Sequence, residues 1–175
     1  GGRYHAAQLS CAKSVETVRR AKAAGVAMTV GVSINHLSLN EIDIGMWRSF
    51  LKLSPPLRTE YDRQALIEGV ADGTIDVIVS DHDPQDVERK RHPFAEAHDG
   101  AIGLETLLPA ALRLVHNDHL SLIQLVDKLS TTPARILGLN AGTLKPGAPA
   151  DVVVFDPDEP WVLDRHALYS RSKNT

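Results

Sequence analysis

The sequence predicts an α/β fold, and three observations support that prediction. Short apolar runs rich in β-branched residues alternate with longer segments in which apolar residues recur at helical spacing. Over residues 3–79 the order is strand, helix, strand, helix, strand, which calls for parallel pairing of the strands. Hydrophobic residues make up 43% of the 175 residues and charged residues 23%, as expected for a chain with a real core.

The predicted elements of this first part are taken in chain order. They are a strand over 3–9, a helix over 12–24, a strand over 26–32, a helix over 60–71 and a strand over 74–79. Ser10 and Thr59 are expected to cap the two helices, and Gly25 and Gly73 to end them. Residues 33–54 and 81–101 are predicted to be long loops, which in compact α/β units usually have a function.

Two further helical regions follow. A helix over 102–115 contains Pro109, which is expected to bend or split it. A helix over 121–129 is followed by a short helix that Thr132 should cap, with Pro133 at the first helical position and Gly138 at the end.

From Gly142 onward the character of the sequence changes. Residues 142–144, 151–155 and 161–162 are short β-type runs separated by turn residues, and they predict a small β element. The expected division is therefore an α/β part over 1–140 and a β part over 141–175.

Composition excludes several classes of function. The formal net charge is −3 and no basic stripe is present, which argues against a nucleic-acid or anionic-membrane partner. No apolar run reaches the roughly 18 residues of a transmembrane helix. The single cysteine, Cys11, excludes an internal disulfide and suits the reducing cytoplasm. Because neither end has a natural start or stop signal, we expect a fragment of a longer chain.

The candidate site lies directly after the apolar run Val77 to Val79. Asp81, His82 and Asp83 follow that predicted strand. The carboxyl end of a strand is where (β/α) barrels place their reacting groups. Placed there, Asp81 could bind a metal ion or transfer a proton. The pattern alone is equally compatible with a solvated loop that has no chemical role.

Several short stretches carry a family resemblance. They are residues 54–59 (SPPLRT), 73–84 (GTID leading to SDHDP), 103–106 (GLET), 130–136 (STTPARI), 147–152 (GAPADV) and 172–175 (SKNT). In this order they resemble the C-terminal half of the dihydroorotases, within the amidohydrolase superfamily. Each match is weak by itself, and together they are specific because they cover almost the whole chain.

The resemblance implies a partial TIM-like (β/α) barrel plus part of a small β-sandwich, which the tail residues Lys173 and Asn174 are expected to secure. The implied reaction is the reversible cyclisation of carbamoyl aspartate to dihydroorotate in pyrimidine biosynthesis, with zinc as the family's cofactor. The family's proton-transferring aspartate, which also binds zinc, falls on Asp81. Arg58 could bind a substrate carboxylate, although an arginine after a Pro-Pro turn more often pairs with a local acid.

Three positions depart from the family pattern. The family usually has a zinc-binding histidine where this chain has Gln8, a substrate-binding asparagine at Ser54 and a substrate-contacting histidine at Gln85. An amide oxygen is a poor zinc ligand, and His5 would point to the opposite face of the strand. Asp81 then remains as the one usual ligand, and a single ligand does not hold zinc. We therefore expect this chain to lack zinc and to be inactive by itself.

Two functions remain open. The first is a dihydroorotase whose other half supplies the missing ligands and which acts on a small pyrimidine precursor. The second is a non-catalytic, dihydroorotase-like subunit that scaffolds aspartate transcarbamoylase. Gln8, Ser54 and Gln85 favour the second, and the overall similarity favours the first. In both cases the open strand edges predict pairing with a missing N-terminal half or with another copy.

Overall fold

The computed structural model describes residues 2–174 and confirms an α/β arrangement with a parallel sheet. The strands are β1 (Tyr4–Ala6), β2 (Met28–Ser33) and β3 (Val77–Val79). The helices are α1 (Ala12–Ala23), α2 (Ile34–Ser38), α3 (Glu60–Ala71), α4 (Val87–Lys90), α5 (Leu107–His116), α6 (Leu122–Val126) and α7 (Thr132–Leu137). The strands pair in parallel in the order β1-β2-β3, with His5 opposite Thr29 and Val32 opposite Ile78.

The core forms where the helices cover the sheet. It contains buried residues of α1, β2, α3 and α5, namely Val15, Val18, Val30, Val32, Leu66, Ile67, Val70, Ala111, Leu112 and Leu114. Each fully buried valine or leucine of this kind stabilises the fold by about 1.5–3 kcal/mol. The sheet is therefore held mainly by its helical cover, since the strands themselves are short.

Polar contacts fix the position of α1 against the segment that leads into β3. Arg19 forms an ion pair with Asp72 at 2.6 Å. Asp76 accepts hydrogen bonds from the Lys22 ammonium and from the backbone N–H of Val30, both at 2.7 Å. Strand β3 is shorter than the predicted strand over 74–79, because the Ile75 N–H donates to the Gly69 carbonyl at 2.7 Å and not to a neighbouring strand.

Several predicted helix ends are wrong, and each has a local reason. Cys11 rather than Ser10 is the N-cap of α1, and Asp62 accepts the hydrogen bond from the Ala12 N–H at 2.8 Å. Helix α5 begins only at Leu107, so Pro109 lies in its first turn, where its missing N–H has no helical partner to lose.

The other corrections concern helical turns. Thr132 does not cap a separate helix, because the π-helical turn Asp127–Thr131 runs directly into α7. The predicted loop over 33–54 contains α2, which the Ser33 hydroxyl caps, and two 3₁₀ turns at Glu41–Ile44 and Ser49–Leu51. Gly138 ends α7 as predicted, with φ of 68°.

The part of the chain after Gly138 differs from the prediction. Within the described residues no strand forms over 138–174, so the predicted strands over 142–144, 151–155 and 161–162 are wrong and the β-sandwich is not confirmed. Residues Val152 to Val154 are 60–92% exposed. The far end of the segment packs back, since Leu168 and Asn174 are buried. The division at residue 140 stays a prediction.

Across residues 2–174, none of the helices combines the length and apolarity that crossing a bilayer requires.

Candidate functional site

The site is built at the edge of the sheet where β1 and β3 end. Gln8 and Asp81 each lie two residues beyond the end of a strand, and parallel strands end at the same edge. The Gln8 Nε2 atom donates a hydrogen bond to Asp81 Oδ1 at 2.5 Å. An ionised carboxylate only accepts hydrogen bonds, so the amide presents its N–H group to Asp81. The two residues singled out as the family's zinc positions are thus brought together.

Strand β2 lies between β1 and β3. The chain after β1 must therefore pass close to the backbone of β2 for Gln8 to reach Asp81. A Cβ atom on Gly31 of β2 would lie 2.5 Å from the carbonyl oxygen of Ala7, so only glycine lets the chain after β1 pass there. The Leu9 N–H then donates to the Gly31 carbonyl at 2.9 Å.

Asp81 has an unusual backbone conformation. Its φ is 51°, in the left-handed region that non-glycine residues rarely adopt. Such a conformation costs on the order of 1–3 kcal/mol and occurs preferentially at functional sites. The turn at Asp81 is consistent with a position kept for its side chain rather than for local stability.

His82 supports the loop that follows. Its Nδ1 atom accepts hydrogen bonds from the backbone N–H groups of Gly103 and Leu104, at 3.0 and 3.3 Å. A ring nitrogen that accepts has no hydrogen, so the neutral His82 ring carries its hydrogen on Nε2. The neighbouring Asp83 N–H donates to the Ala101 carbonyl at 2.8 Å. His82 and Asp83 are therefore fastened to residues 101–104.

The side chain of Gln85 bonds to Asp83, two residues before it. Its Nε2 atom donates to Asp83 Oδ1 at 2.8 Å. The position at which the family resemblance implies a histidine thus carries a neutral amide that already has an acidic partner. A substrate anion would meet the negative charge of Asp83 there.

His36 holds the turn that contains Ser54. The ring is 2% exposed, and its Nε2 atom lies 3.0 Å from the Pro55 carbonyl oxygen and 3.3 Å from that of Pro56. Because both carbonyls only accept, Nε2 carries the hydrogen. Burial lowers the pKa of His36 most strongly, although the two carbonyl contacts and the charge of Asp81 oppose that change. The His36 side chain, which projects from α2, therefore orders this turn.

Ser54 and Arg58 lie at the two sides of this turn and are exposed. Their side chains make no hydrogen bond to Gln8, Asp81 or Gln85 within residues 2–174. The charge of Arg58 lowers the pKa values of His36 and Asp62 slightly. The substrate-binding roles of Ser54, Arg58 and Gln85 stay predictions.

The resemblance implies zinc, and the donor atoms at this site do not fit that ion. Asp81 offers a carboxylate, but one of its oxygens already accepts a hydrogen bond from Gln8, whose N–H group cannot bind a cation. His5 bonds to the Thr29 hydroxyl at 2.8 Å. Among residues 2–174 no three His, Cys, Asp or Glu side chains are grouped as a metal site requires.

Sequence reasoning missed the support that residues 100–105 and the end of the chain give to this site. The stretches 103–106 and 172–175 were both part of the family resemblance, but the role expected of Lys173 and Asn174 was to secure a β element and not to support this site. Thr175 itself lies outside the described residues.

Comparisons with known proteins identify relatives of this chain. The chain is 44% identical over 171 residues to the dihydroorotase of Geotalea daltonii and 41% identical over 176 residues to that of Clostridioides difficile. These matches cover 98% and 100% of this chain, which spans only about 40% of the length of those curated relatives.

Solved structures show the same fold. The L-hydantoinase of Arthrobacter aurescens matches 86% of this chain with a TM-score of 0.80 and 31% identity, and 35% of that protein is covered. The dihydropyrimidinase of Brevibacillus agri has the same TM-score at 24% identity, over 85% of this chain and 34% of its own. The α/β arrangement with a parallel sheet is thus shared with these structures, and the partial (β/α) barrel stays a prediction.

A model of the amidohydrolase family matches residues 3–174, which is almost the entire chain. The chain belongs to the amidohydrolase family, with dihydroorotases among its relatives.

Proposed function

We propose that the chain is the C-terminal part of a dihydroorotase-family protein of pyrimidine biosynthesis, in which the site has lost its own metal. This part of the protein does not interconvert carbamoyl aspartate and dihydroorotate by itself. The observation that supports the proposal is the hydrogen bond from Gln8 to Asp81. It satisfies the carboxylate that would transfer the proton, and the amide of Gln8, a poor zinc ligand, stands where the family has an imidazole.

The backbone around the site is well ordered by hydrogen bonds, although three of its side chains differ from the family pattern. Asp81 lies in a left-handed turn, and His36 holds the Pro55–Pro56 turn in place. The altered side chains are the ones that would touch a metal ion or a substrate, namely Gln8, Ser54 and Gln85. Because the changes fall on these positions, we infer that the protein has lost the family's reaction and has kept the family's fold.

The test is zinc content together with turnover, measured on the full-length protein. We expect far less than one zinc ion per chain by elemental analysis and no formation of dihydroorotate from carbamoyl aspartate. Gln8→His should restore an imidazole beside Asp81 and raise the zinc content, while Gln8→Asn, which keeps an amide, serves as the matched control. Stoichiometric zinc with turnover in the unaltered protein would contradict the proposal.

A second candidate is a non-catalytic subunit that holds aspartate transcarbamoylase. The same three altered positions favour it, because a subunit with an assembly role needs the surface of the family fold and not its metal. Co-purification of the full-length protein with the transcarbamoylase, without turnover, would support this role. Turnover without association would support a dihydroorotase whose remaining part supplies the ligands.

In either role the open edges of β1 and β3 need a partner. A sheet of three short parallel strands is not closed, and within residues 2–174 no further strand pairs with the outer edge of β1 or β3. We propose that the remaining barrel strands of a longer chain, or another copy of this chain, complete the sheet in the cytoplasm. A measured mass of the purified protein in solution separates the two.

A further inference from the structure

The end of the described chain binds the loop that follows β3. Asn174 is 2% exposed although its side chain is polar. Its Nδ2 atom donates to the Gly100 carbonyl at 3.0 Å, and its backbone carbonyl accepts from the Ile102 N–H at 2.9 Å. One buried residue thus contacts both sides of Ala101.

The same residue also reaches the beginning of the loop. Asn174 Oδ1 accepts a hydrogen bond from the Gln85 N–H at 3.5 Å. The Ser172 hydroxyl donates to the Gln85 carbonyl at 2.8 Å and also contacts the Asn174 side chain. Because Nδ2 must donate and Oδ1 must accept, asparagine has both groups that this position requires.

The contacts continue from there to the candidate site. The Ala101 carbonyl accepts from the Asp83 N–H, and the Gly103 N–H donates to His82 Nδ1. Gly100 has φ of 115° and lies so close to Asp83 that a Cβ atom would be 2.4 Å from the Asp83 carboxylate. The segment 100–103 therefore lies between Asn174 on one side and His82 and Asp83 on the other.

Further bonds hold the rest of the terminal segment. The Glu105 carboxylate accepts from the N–H groups of Tyr169 and Ser170, at 2.8 and 3.0 Å. The Lys173 ammonium donates to the carbonyls of Leu168 and Ser170. Lys173 and Asn174 thus secure this loop and their own segment, and not the β element that was expected.

We propose that Asn174 is a positioning residue for the loop that carries Asp81, His82 and Asp83, and that residues 168–174 act as a strap across it. The strap acts through segment 100–103, which sets the position of the His82 ring. The proposal concerns the geometry of the site and holds whether or not the protein turns over a substrate. Its failure would leave the zinc and turnover tests unaffected.

The first test is amide hydrogen exchange on the full-length protein carrying Asn174→Asp. The variant keeps the size of the side chain but places an acceptor against the Gly100 carbonyl. We expect exchange at Asp83 and Gly103 to be about tenfold faster, with the amides of β2 unchanged. Asn140→Asp, at an exposed asparagine, is the matched control. Unchanged exchange at Asp83 and Gly103, or an equal increase in β2, would overturn the proposal.

The second test observes His82 directly. In ¹⁵N-histidine-labelled protein, imidazole shifts report which ring nitrogen carries the hydrogen. The unaltered protein is expected to show the Nε2–H form of His82, and Asn174→Asp to shift it towards a mixture of both forms. A merely structural loss of stability would not change the tautomer of the folded protein, so an unchanged spectrum counts against the strap.

A milder variant covers the case in which Asn174→Asp does not fold. Ser172→Ala removes one hydroxyl and its bond to the Gln85 carbonyl, with little change in volume. Exchange of the Gln85 N–H should then become faster, while Val30 and Val32 in β2 keep their protection. If Gln85 exchanges at its original rate, the strap does not hold the loop.

Discussion

Two runs of similar sequence have opposite environments in this chain. Val77-Ile78-Val79 forms β3, where Val77 and Ile78 are 4% and 3% exposed. Val152-Val153-Val154 has an equally strong preference for strands, yet it is unpaired and 60–92% exposed. β-propensity describes how well a side chain fits a half-buried sheet, and it does not create the neighbouring strand. The first run has β2 beside it and the second has no partner strand within residues 2–174.

The largest expected difference between the two runs is in stability. Val77→Ala should lower the free energy of unfolding by about 1.5–3 kcal/mol, because a buried methyl pair is lost from the sheet. Val153→Ala should change it by less than about 0.5 kcal/mol, because that side chain is solvated. Urea denaturation of each variant, followed by circular dichroism, measures both values.

If Val153→Ala is as costly as Val77→Ala, residues 152–154 are packed in solution, either against another copy or against a further part of the protein. Repeating the denaturation over a range of protein concentrations then identifies association, since an intermolecular contact makes the midpoint depend on concentration.

A smaller difference is expected between two histidines. His36 is buried and holds the Pro55–Pro56 turn, whereas His116 is half exposed and lies 3.1 Å from the Pro157 carbonyl in the outer segment. His36→Gln should cost about 1–3 kcal/mol, since it disturbs a buried hydrogen bond. His116→Gln should cost less than about 0.5 kcal/mol. Similar costs would mean that residues 157–163 are held as firmly as the sheet.

The pH dependence of stability gives a second measurement on His36. Burial lowers its pKa from the ordinary 6.5, so the unfolded chain takes up a proton before the folded one does. Stability should therefore fall as the pH drops below about 6.5 towards the lower folded pKa, and this part of the loss should be absent in His36→Gln. A pH series of urea midpoints for the two proteins measures it.

The contrast between the two regions also explains how much the sequence could predict. The alternation of strands and helices over 3–79 identified β1, α1, β2, α3 and β3, because helical and strand periodicities are local properties. Helix ends were less accurate where the capping group comes from elsewhere in the chain, as with Asp62 at the start of α1. The three runs after Gly138 were misassigned because strand formation depends on a partner that local sequence does not reveal.

The site was predicted in part for the same reason. Asp81 and Gln8 were identified from pattern and resemblance, but their direct hydrogen bond depends on the close passage at Gly31, which no short motif specifies. The contact of Asn174 with Gly100 joins residues 74 positions apart. Such long-range polar contacts follow from the completed fold, and local sequence gives no sign of them.

The smallest expected effect concerns two glutamates, one in each environment. Glu60 bonds to Arg63, Gln64 and Asn40, and these contacts, with Arg63 the strongest, lower its pKa from 4.5 to about 2. Its contribution is present above pH 4.5 and is lost as the pH falls through about 2. The side chain is 45% exposed, so solvent screening limits the effect to about 1 kcal/mol or less.

Glu105 provides the matched comparison, because hydrogen bonds from the backbone of Tyr169 and Ser170 lower its pKa as well. Glu60→Gln should reduce the fall in stability between pH 4.5 and 2, because a glutamine amide takes up no proton in that range. Glu105→Gln should mainly speed hydrogen exchange at Tyr169 and Ser170. The Glu105 carboxylate accepts from these two N–H groups and so joins the outer segment to the rest of the chain, but the residue is not part of the core. If Glu105→Gln reduces the fall in stability at acid pH as much as Glu60→Gln does, the terminal segment unfolds together with the sheet, and the two regions form one cooperative unit.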